Sequence, residues 1–576
     1  MLRLKIGKSS NRQYLSVVYN YWDPESKQSR TKTFESIGYL DNFKDVYEDP
    51  IEHFKKYVEE LNKTFVTSPN EIKVSINKRS LIDTDASNRK NLGYSTLLKI
   101  YNELNLDRFF LNCQRGCQFS YSVNDIMKLL IFQRILSPGS KRNAYLHKDK
   151  YFMNTNFNLE DIYKCLTHVN NYSDKLQVHL HKNIKEKLGF NNEIVYYDVT
   201  NYYFEIDKQD NLRKKGVSKE HRPNPIVQMG MFMDSRSIPI AYRLFKGNTN
   251  DVETLIPLVS DLRSKFNINR TIVVADKGLN SSDNIAFNTI AKNGYVFSQT
   301  IRGADRELKD YVLNQEGYKL INSNFKAKSR VYPREISVTT KDNKKKKVTI
   351  EQKQVVIYSE KYNLKAKAER QAVIEKAYDL IDNVSKYKQA TSYGAAKYVK
   401  NITVDNQTGE ITTSKQKPVF DIEKLREEEK YDGYYVLVTG ELDKSDEQIL
   451  EIYSNLWKIE ECFRITKSDL NARPVYLSRE DRIQAHFLIC FIALTIIKIL
   501  ALKLDNQYSI KQIIESLNNM SYSLFEENIY IGDYSDQITL DIKEKLDIDL
   551  TRKYLTLGEI KKLFAKPKKA IQSAST

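Results

Sequence analysis

Cysteine is scarce in this chain. Five stand in 576 residues, at 113, 117, 165, 462 and 490. An odd, scattered set builds no disulfide framework and fits a reducing compartment. Cys113 and Cys117 are four apart, but no second pair or neighbouring histidine in the sequence completes a zinc site. The seven histidines do not cluster; His179 and His181, two apart on a helical stretch, face different ways. No apolar signal core opens the chain, since MLRLKIGKSSNRQYLSVVYNYW alternates like a strand. Long hydrophobic runs are also lacking. The most apolar stretch, 487–504, is free of charge only from Phe487 to Ile497 before Lys498 interrupts it. That is too short to span a bilayer, so it reads as a buried helix, with no membrane as partner. The expected location is the cytoplasm. No repeat of fixed period is visible.

What is abundant is positive charge. The formal net charge is +17 and the isoelectric point about 9.2. Such a surplus favours a polyanion, and nucleic acid is the usual one. With 41% hydrophobic and 11% aromatic residues the chain can fill cores and is not a disordered polyelectrolyte. Its length suffices for three or four domains.

The pattern along the chain predicts six segments. Residues 1–45 read as a β-hairpin. Residues 46–189 read as a helical region with many basic side chains on short helices, fitting a DNA-binding module. At 193 the pattern turns to strands, among them EIVYYDVTNYYFEI, IVQMGMFMD and IPIAYRLFKGN; a helix and the strand TIVVAD follow. Strands, then a helix, then a strand describe an α/β core over 190–310. Residues 311–429 are lysine-rich with short β-like stretches and read as a β-rich insertion domain. Its basic run 344–347, with Lys341 just before, is expected as a loop that is either solvated or in contact with phosphate. Residues 430–505 return to the core through the strand YDGYYVLVTG and one long helix. Residues 506–576 read as a C-terminal helical region and tail.

Two aspartates stand out in the core. Asp198 sits within IVYYDV, and Asp276 closes TIVVAD. Either alone could simply cap a following helix. Two such acids on separate strands of one α/β core are harder to explain that way. Neighbouring carboxylates repel, and their common use is to hold a divalent cation. A third acid comes from YSNLWKIEECFRITK, residues 453–467. A helix turns about 100° per residue. On one continuous helix Tyr453, Glu460 and Lys467, seven apart each time, form a single stripe, and Arg464 joins it. Glu461, rotated by about 100°, falls outside, so Glu460 is the expected inward acid. Trp457 reads as a core side chain in preference to a surface that stacks on a distorted base.

At this point the chain resembles the DDE transposases of bacterial insertion sequences, of the insertion-sequence-four-like superfamily. The matching stretches run from about 190 to 505: YYDVTNYYFE, KKGVSKEHRPN, FKGNTND, VVADKGLNSSDN and ARPVYLSREDRIQAHFLICFIAL. The family signature Tyr-x2-Arg-x3-Glu-x6-Lys reads here Tyr453, Leu456, Glu460, Lys467, with leucine at the arginine position.

The resemblance implies an α/β fold: a ribonuclease H-like catalytic core, interrupted by a β-rich insertion domain and preceded by a mostly helical DNA-binding region. It implies two divalent ions, Mg²⁺ or Mn²⁺, held by Asp198, Asp276 and Glu460. The implied reaction is hydrolysis at a transposon end, then attack of the freed 3′-OH on target DNA. Tyr453, Lys467 and Trp457 would lie on the transposon end, with Arg464 as a substitute phosphate contact. In the basic loop 213–222, Lys219 and Arg222 would meet phosphate, and the loop is expected to order only on DNA. Terminal inverted repeats and target DNA are the implied partners, with a homodimer in the synaptic complex. The rival readings are a metal-dependent nuclease of the same fold without strand transfer, and a non-catalytic DNA-binding derivative.

Overall fold

Alternating apolar residues close the first unit, Met1–Thr84. Strands β1 (Leu2–Ser9), β2 (Arg12–Asp23) and β3 (Gln28–Tyr39) form an antiparallel meander. Leu2, Val17 and Val58 form its small core, with Leu4, Tyr19, Ile37 and Leu61 against them. Val58 and Leu61 come from the helix Pro50–Thr64. The sequence predicts only a hairpin here. The added strand is β1, whose alternation puts Leu2 and Leu4 on the side that the helix covers. The computed structural model describes residues 2–9, 12–23, 28–64, 79, 81, 88–189, 193–220, 223–339, 342, 344–383, 394–400, 403–404, 411–412, 418–526 and 528–569.

The second unit, Asp85–Thr576, is mixed α/β. A short strand, β4 (Arg89–Asn91), precedes six helices from Tyr94 to Leu188. The main sheet then begins with β5 (Ile194–Tyr203), β6 (Ile226–Asp234) and β7 (Pro239–Lys246), paired antiparallel in sequence order. After the helix Asp251–Ser264, β8 (Ile272–Ala275) returns beside β5 in parallel, and β9 (Gly294–Gln299) adds in parallel to β8. Short apolar strands such as IVVA, buried along their whole length, suit the middle of a sheet covered on both faces.

The segment 311–429 lengthens this sheet. Strands β10 (Lys319–Asn322), β11 (Phe325–Thr339) and β12 (Lys345–Ser359) form an antiparallel edge. Among the described residues, the small strands β13 (Val399–Lys400) and β16 (Val419–Phe420) pair with each other, as do β14 (Thr403–Val404) and β15 (Ile411–Thr412). Strand β17 (Tyr434–Thr439) then runs between β12 and β9. The nine-stranded order is β10-β11-β12-β17-β9-β8-β5-β6-β7. The basic run, expected as a loop, enters β12 at Lys345, and Lys347 pairs with Glu335 of β11 at 2.6 Å. Lys341 lies outside the described residues.

The most apolar stretch is the helix Glu480–Lys503, 94% buried over its apolar window. It packs against the helices Val123–Leu136 and Leu159–Asn170 and against β7. Burial of each Ile, Leu or Phe there contributes about 1.5–3 kcal/mol. The C-terminal region is not only helical. Strands β18 (Ser521–Glu526), β19 (Ile529–Gly532) and β20 (Tyr554–Thr556) build a four-stranded sheet with β4. The two ends of this unit therefore share one sheet.

Candidate active site

The register of two parallel strands brings the first two acids together. Tyr196 of β5 pairs with Val274 of β8, so two residues further along lie Asp198 and Asp276. β8 ends at Ala275 while β5 runs on to Tyr203, leaving the later part of β5 with one strand-free edge. This is the carboxyl end of the parallel strands, where α/β sheets place their ligands. Ser298, on β9, donates from Oγ to Asp276 Oδ1 at 2.8 Å. The Val199 N–H donates to Asp198 Oδ1 at 2.7 Å.

The helical segment that carries the third acid is broken in two. Helix Asp446–Ser454 ends before Asn455, and a second helix, Trp457–Lys467, follows. The continuous helix predicted from the spacing is thus corrected. Tyr453 stands on the first piece and Glu460, Arg464 and Lys467 on the second, so no single helical stripe joins them. Buried Leu456 lies at the break.

The two adjacent glutamates differ in what they touch. Glu461 pairs with Lys498 at 3.4 Å and with Arg464 at 3.8 Å. Glu460 is exposed and makes no ion pair among the described residues. Its charge acts on Asp198 and on Tyr453. Arg464 turns to Glu461 and to Asp469 at 3.6 Å, away from the expected stripe. Trp457, preferred as a core residue, is 56% exposed: its helix buries Ile459, Cys462, Phe463, Ile465 and Thr466 instead.

The basic loop after β5 orders against the protein itself. Arg213 pairs with Asp210 at 2.5 Å, stands over the Phe204 ring and donates to the Ser478 carbonyl. Lys214 bridges to Ile226. Gly216 meets Gly247 so closely that an added Cβ would run into the Gly247 carbonyl. Beyond it the loop covers the strand-free edge of β5. Asn201 Nδ2 donates to the Val217 carbonyl at 3.2 Å, and Lys219 Nζ donates to the Val199 carbonyl. The Lys219 ammonium thus satisfies the Val199 carbonyl where no neighbouring strand does. These contacts join residues 213–219 to the protein. Arg222 lies outside the described residues.

Electrostatics tie the acids to one space. Burial raises the Asp198 carboxyl to about 6, although 22% of its side chain stays accessible. Lys219, 3.9 Å away, and the Val199 N–H pull it back; Glu460 and Asp276 push it up. Burial also raises the Tyr453 phenol, with Asp276 and Glu460 adding to the rise. Lys467 falls to about 8, through burial first and then the nearby Lys219, with Asp198 opposing. Asp198 and the two carboxylates whose charges act on it offer hard oxygen donors, the chemistry that suits Mg²⁺ or Mn²⁺. Among the described residues, no three His, Cys, Asp or Glu side chains stand together at metal-ligand spacing. The same holds around Cys113, where His168 comes close but donates from Nε2 to the Cys113 backbone carbonyl, 2.9 Å away.

Three contributors escaped the sequence reading. Ser298 carries no motif and is found only through the register of β9. Glu220 and Arg473 stand inside KKGVSKEHRPN and ARPVYL, but the first stretch draws attention to its cations alone. In the structure Glu220 pairs with both Lys467 and Arg473.

Residues 208–496, half of the chain, match the family model described as Transposase DDE domain. The matched span holds Asp276, Glu460 and Lys467 and begins just after Asp198. No curated protein matches the chain. Among solved structures, the piggyBac transposase synaptic complex with hairpin DNA is similar at 10% identity, with a TM-score of 0.33, over 74% of this chain and 78% of that one. On the extent of the family match, this chain belongs to the transposases with a DDE domain.

Proposed function

We propose that this transposase acts through Asp198, Asp276 and Glu460 on a ribonuclease H-like core of the insertion-sequence-four-like type. It binds transposon ends, cleaves a DNA strand by hydrolysis and joins the 3′-OH to target DNA. The observation that carries the reading is the register that sets Asp198 and Asp276 side by side at the carboxyl ends of β5 and β8, with the charges of Asp276 and Glu460 both acting on Asp198. The strand order β7-β6-β5-β8-β9, antiparallel on one side of β5 and parallel on the other, supports the core assignment.

The residues divide the work by their chemistry. Asp198, Asp276 and Glu460 would hold divalent cations, and Ser298 fixes one oxygen of Asp276. Bound there, Mg²⁺ or Mn²⁺ would polarise the scissile phosphate and acidify the attacking water or 3′-hydroxyl. The phenol of Tyr453, held protonated, is a donor for a phosphate oxygen beside Asp276 and Glu460. Lys467 and Lys219 offer point charges to the DNA backbone. Trp457, exposed one helical turn before Glu460, offers a ring for a base to stack on. Leu456 offers no phosphate contact, and Arg464 is already engaged with two acids. The formal charge of +17 supports DNA as the partner, and synapsis of two ends calls for a homodimer.

The test is a plasmid assay with the DNA that flanks this reading frame as donor, plus Mg²⁺. A transposase releases 3′-OH ends and joins them to a target plasmid. Cleavage without joining would identify a nuclease instead.

A further inference from the structure

Beside the three carboxylates, two cations share one internal anion. Glu220 Oε1 accepts from Lys467 Nζ at 3.2 Å, while Oε2 pairs with the Arg473 guanidinium. All three side chains are largely covered, at 24%, 15% and 25% accessible. Each cation is backed by a ring of β5. Lys467 lies 5.5 Å from the centre of Tyr202, and Arg473 lies 5.1 Å from that of Tyr203. A carboxylate that gives one oxygen to each cation has the bite of the two free oxygens of a phosphodiester.

The partners differ in how they are held. Lys467 closes the helix Trp457–Lys467. Arg473 follows a turn that buried Arg134 fixes through the carbonyls of Leu470 and Asn471, at 3.3 and 2.9 Å. Glu220 stands on the loop between β5 and β6, next to Lys219. The cations are built into the framework, and the anion rides on a loop.

We infer that Lys467 and Arg473 form a seat for one backbone phosphate of a DNA strand at this site, and that Glu220 fills the seat until DNA displaces it. The inference rests on the reading that this cleft takes DNA.

The test uses the full chain, a short fluorescent duplex and a chelator that suppresses cleavage. Glu220→Gln is expected to bind the duplex about three- to fivefold tighter than the unaltered chain, the scale of one half-covered ion pair. Arg473→Gln is expected to bind several-fold weaker and to lose about one unit of salt slope, the loss of roughly one phosphate contact. In the Arg473→Gln background, Glu220→Gln should gain clearly less than in the unaltered chain, because only the Lys467 half of the seat is left to free. Unchanged or weaker binding by Glu220→Gln, or additive effects of the pair, overturns the inference. Arg473→Gln alone decides the matter if Glu220→Gln does not fold.

Inorganic pyrophosphate, titrated calorimetrically, separates the seat from the DNA reading. A tighter complex with Glu220→Gln that Arg473→Gln abolishes keeps the seat even if the unaltered chain ignores DNA. Salt-dependent duplex binding that Glu220→Gln leaves untouched keeps the DNA reading and removes the seat.

Discussion

Lys219 Nζ stands 3.9 Å from Asp198 Oδ1, and the same ammonium donates to the Val199 carbonyl on the strand-free edge of β5. One side chain thus satisfies a backbone carbonyl of the strand and tempers the charge of its central acid. It does so only in part. Burial, Glu460 and Asp276 still leave Asp198 at about 6.

Asp198 should therefore weaken the metal-free fold at neutral pH. Its folded value, about 6, lies above the ordinary 3.8. The folded chain keeps a proton that the unfolded chain releases, so stability falls as pH rises from about 4 to 6 and stays low above that. At roughly 1.4 kcal/mol per pH unit the loss is at most about 3 kcal/mol. Asp198→Asn should stabilise the metal-free chain by up to about that amount near pH 7.5, and by little near pH 4. Denaturant midpoints at the two pH values measure it, and an equal effect at both contradicts the assignment.

Glu460 and Glu461 should separate activity from stability. Glu460→Gln is expected to abolish metal-dependent cleavage while the fold and DNA binding persist. Glu461→Gln should cleave at a rate near that of the unaltered chain. It should lose about 1–3 kcal/mol of stability, because Lys498, only 9% accessible, is left without its partner. Parallel cleavage assays and unfolding curves check both. Loss of cleavage in Glu461→Gln alone would reverse the assignment.

Trp457→Ala should leave stability within about 0.5 kcal/mol, because the ring is exposed. Affinity for a duplex with a distorted end should fall by about 1–3 kcal/mol if a base stacks there. A large drop in melting temperature would mean that the ring packs against protein.

Lys467 should give DNA binding a pH dependence. Its ammonium titrates near 8 in the free chain, and a phosphate partner would raise that value. Binding then takes up a proton, so affinity should weaken as pH rises through about 8. Lys467→Arg, which keeps its charge, should flatten the dependence. Duplex titrations between about pH 7 and 9 measure the effect, and a flat profile in the unaltered chain would contradict it.

Much of this site was legible from residues alone, and the limits were geometric. IVYYDV and TIVVAD announce buried strands that carry an acid, and the structure sets them side by side. Periodicity also singled out Glu460 over Glu461. That reading assumed a continuous helix, while the chain turns at Asn455 and Leu456, where no glycine or proline marks the break. Exposure of Trp457 depends on which helix face meets β5, and this is fixed by distant packing. Ser298 and the Glu220–Arg473 pair are contacts across long sequence separations, with no local pattern to reveal them. The place of β11 and β12 in the main sheet was hidden for the same reason. Pairing of β12 with β17 is set by the fold, and an isolated lysine-rich stretch reads only as a strand or a loop.

The proposed grip of three carboxylates on divalent ions is open to one direct measurement. Crystals of the full chain soaked in Mn²⁺ can be measured at the manganese absorption edge. The expected result is anomalous density bounded by the carboxylate oxygens of Asp198, Asp276 and Glu460, lost in Asp198→Asn. Manganese bound elsewhere, with no anomalous density at those three side chains, would contradict it.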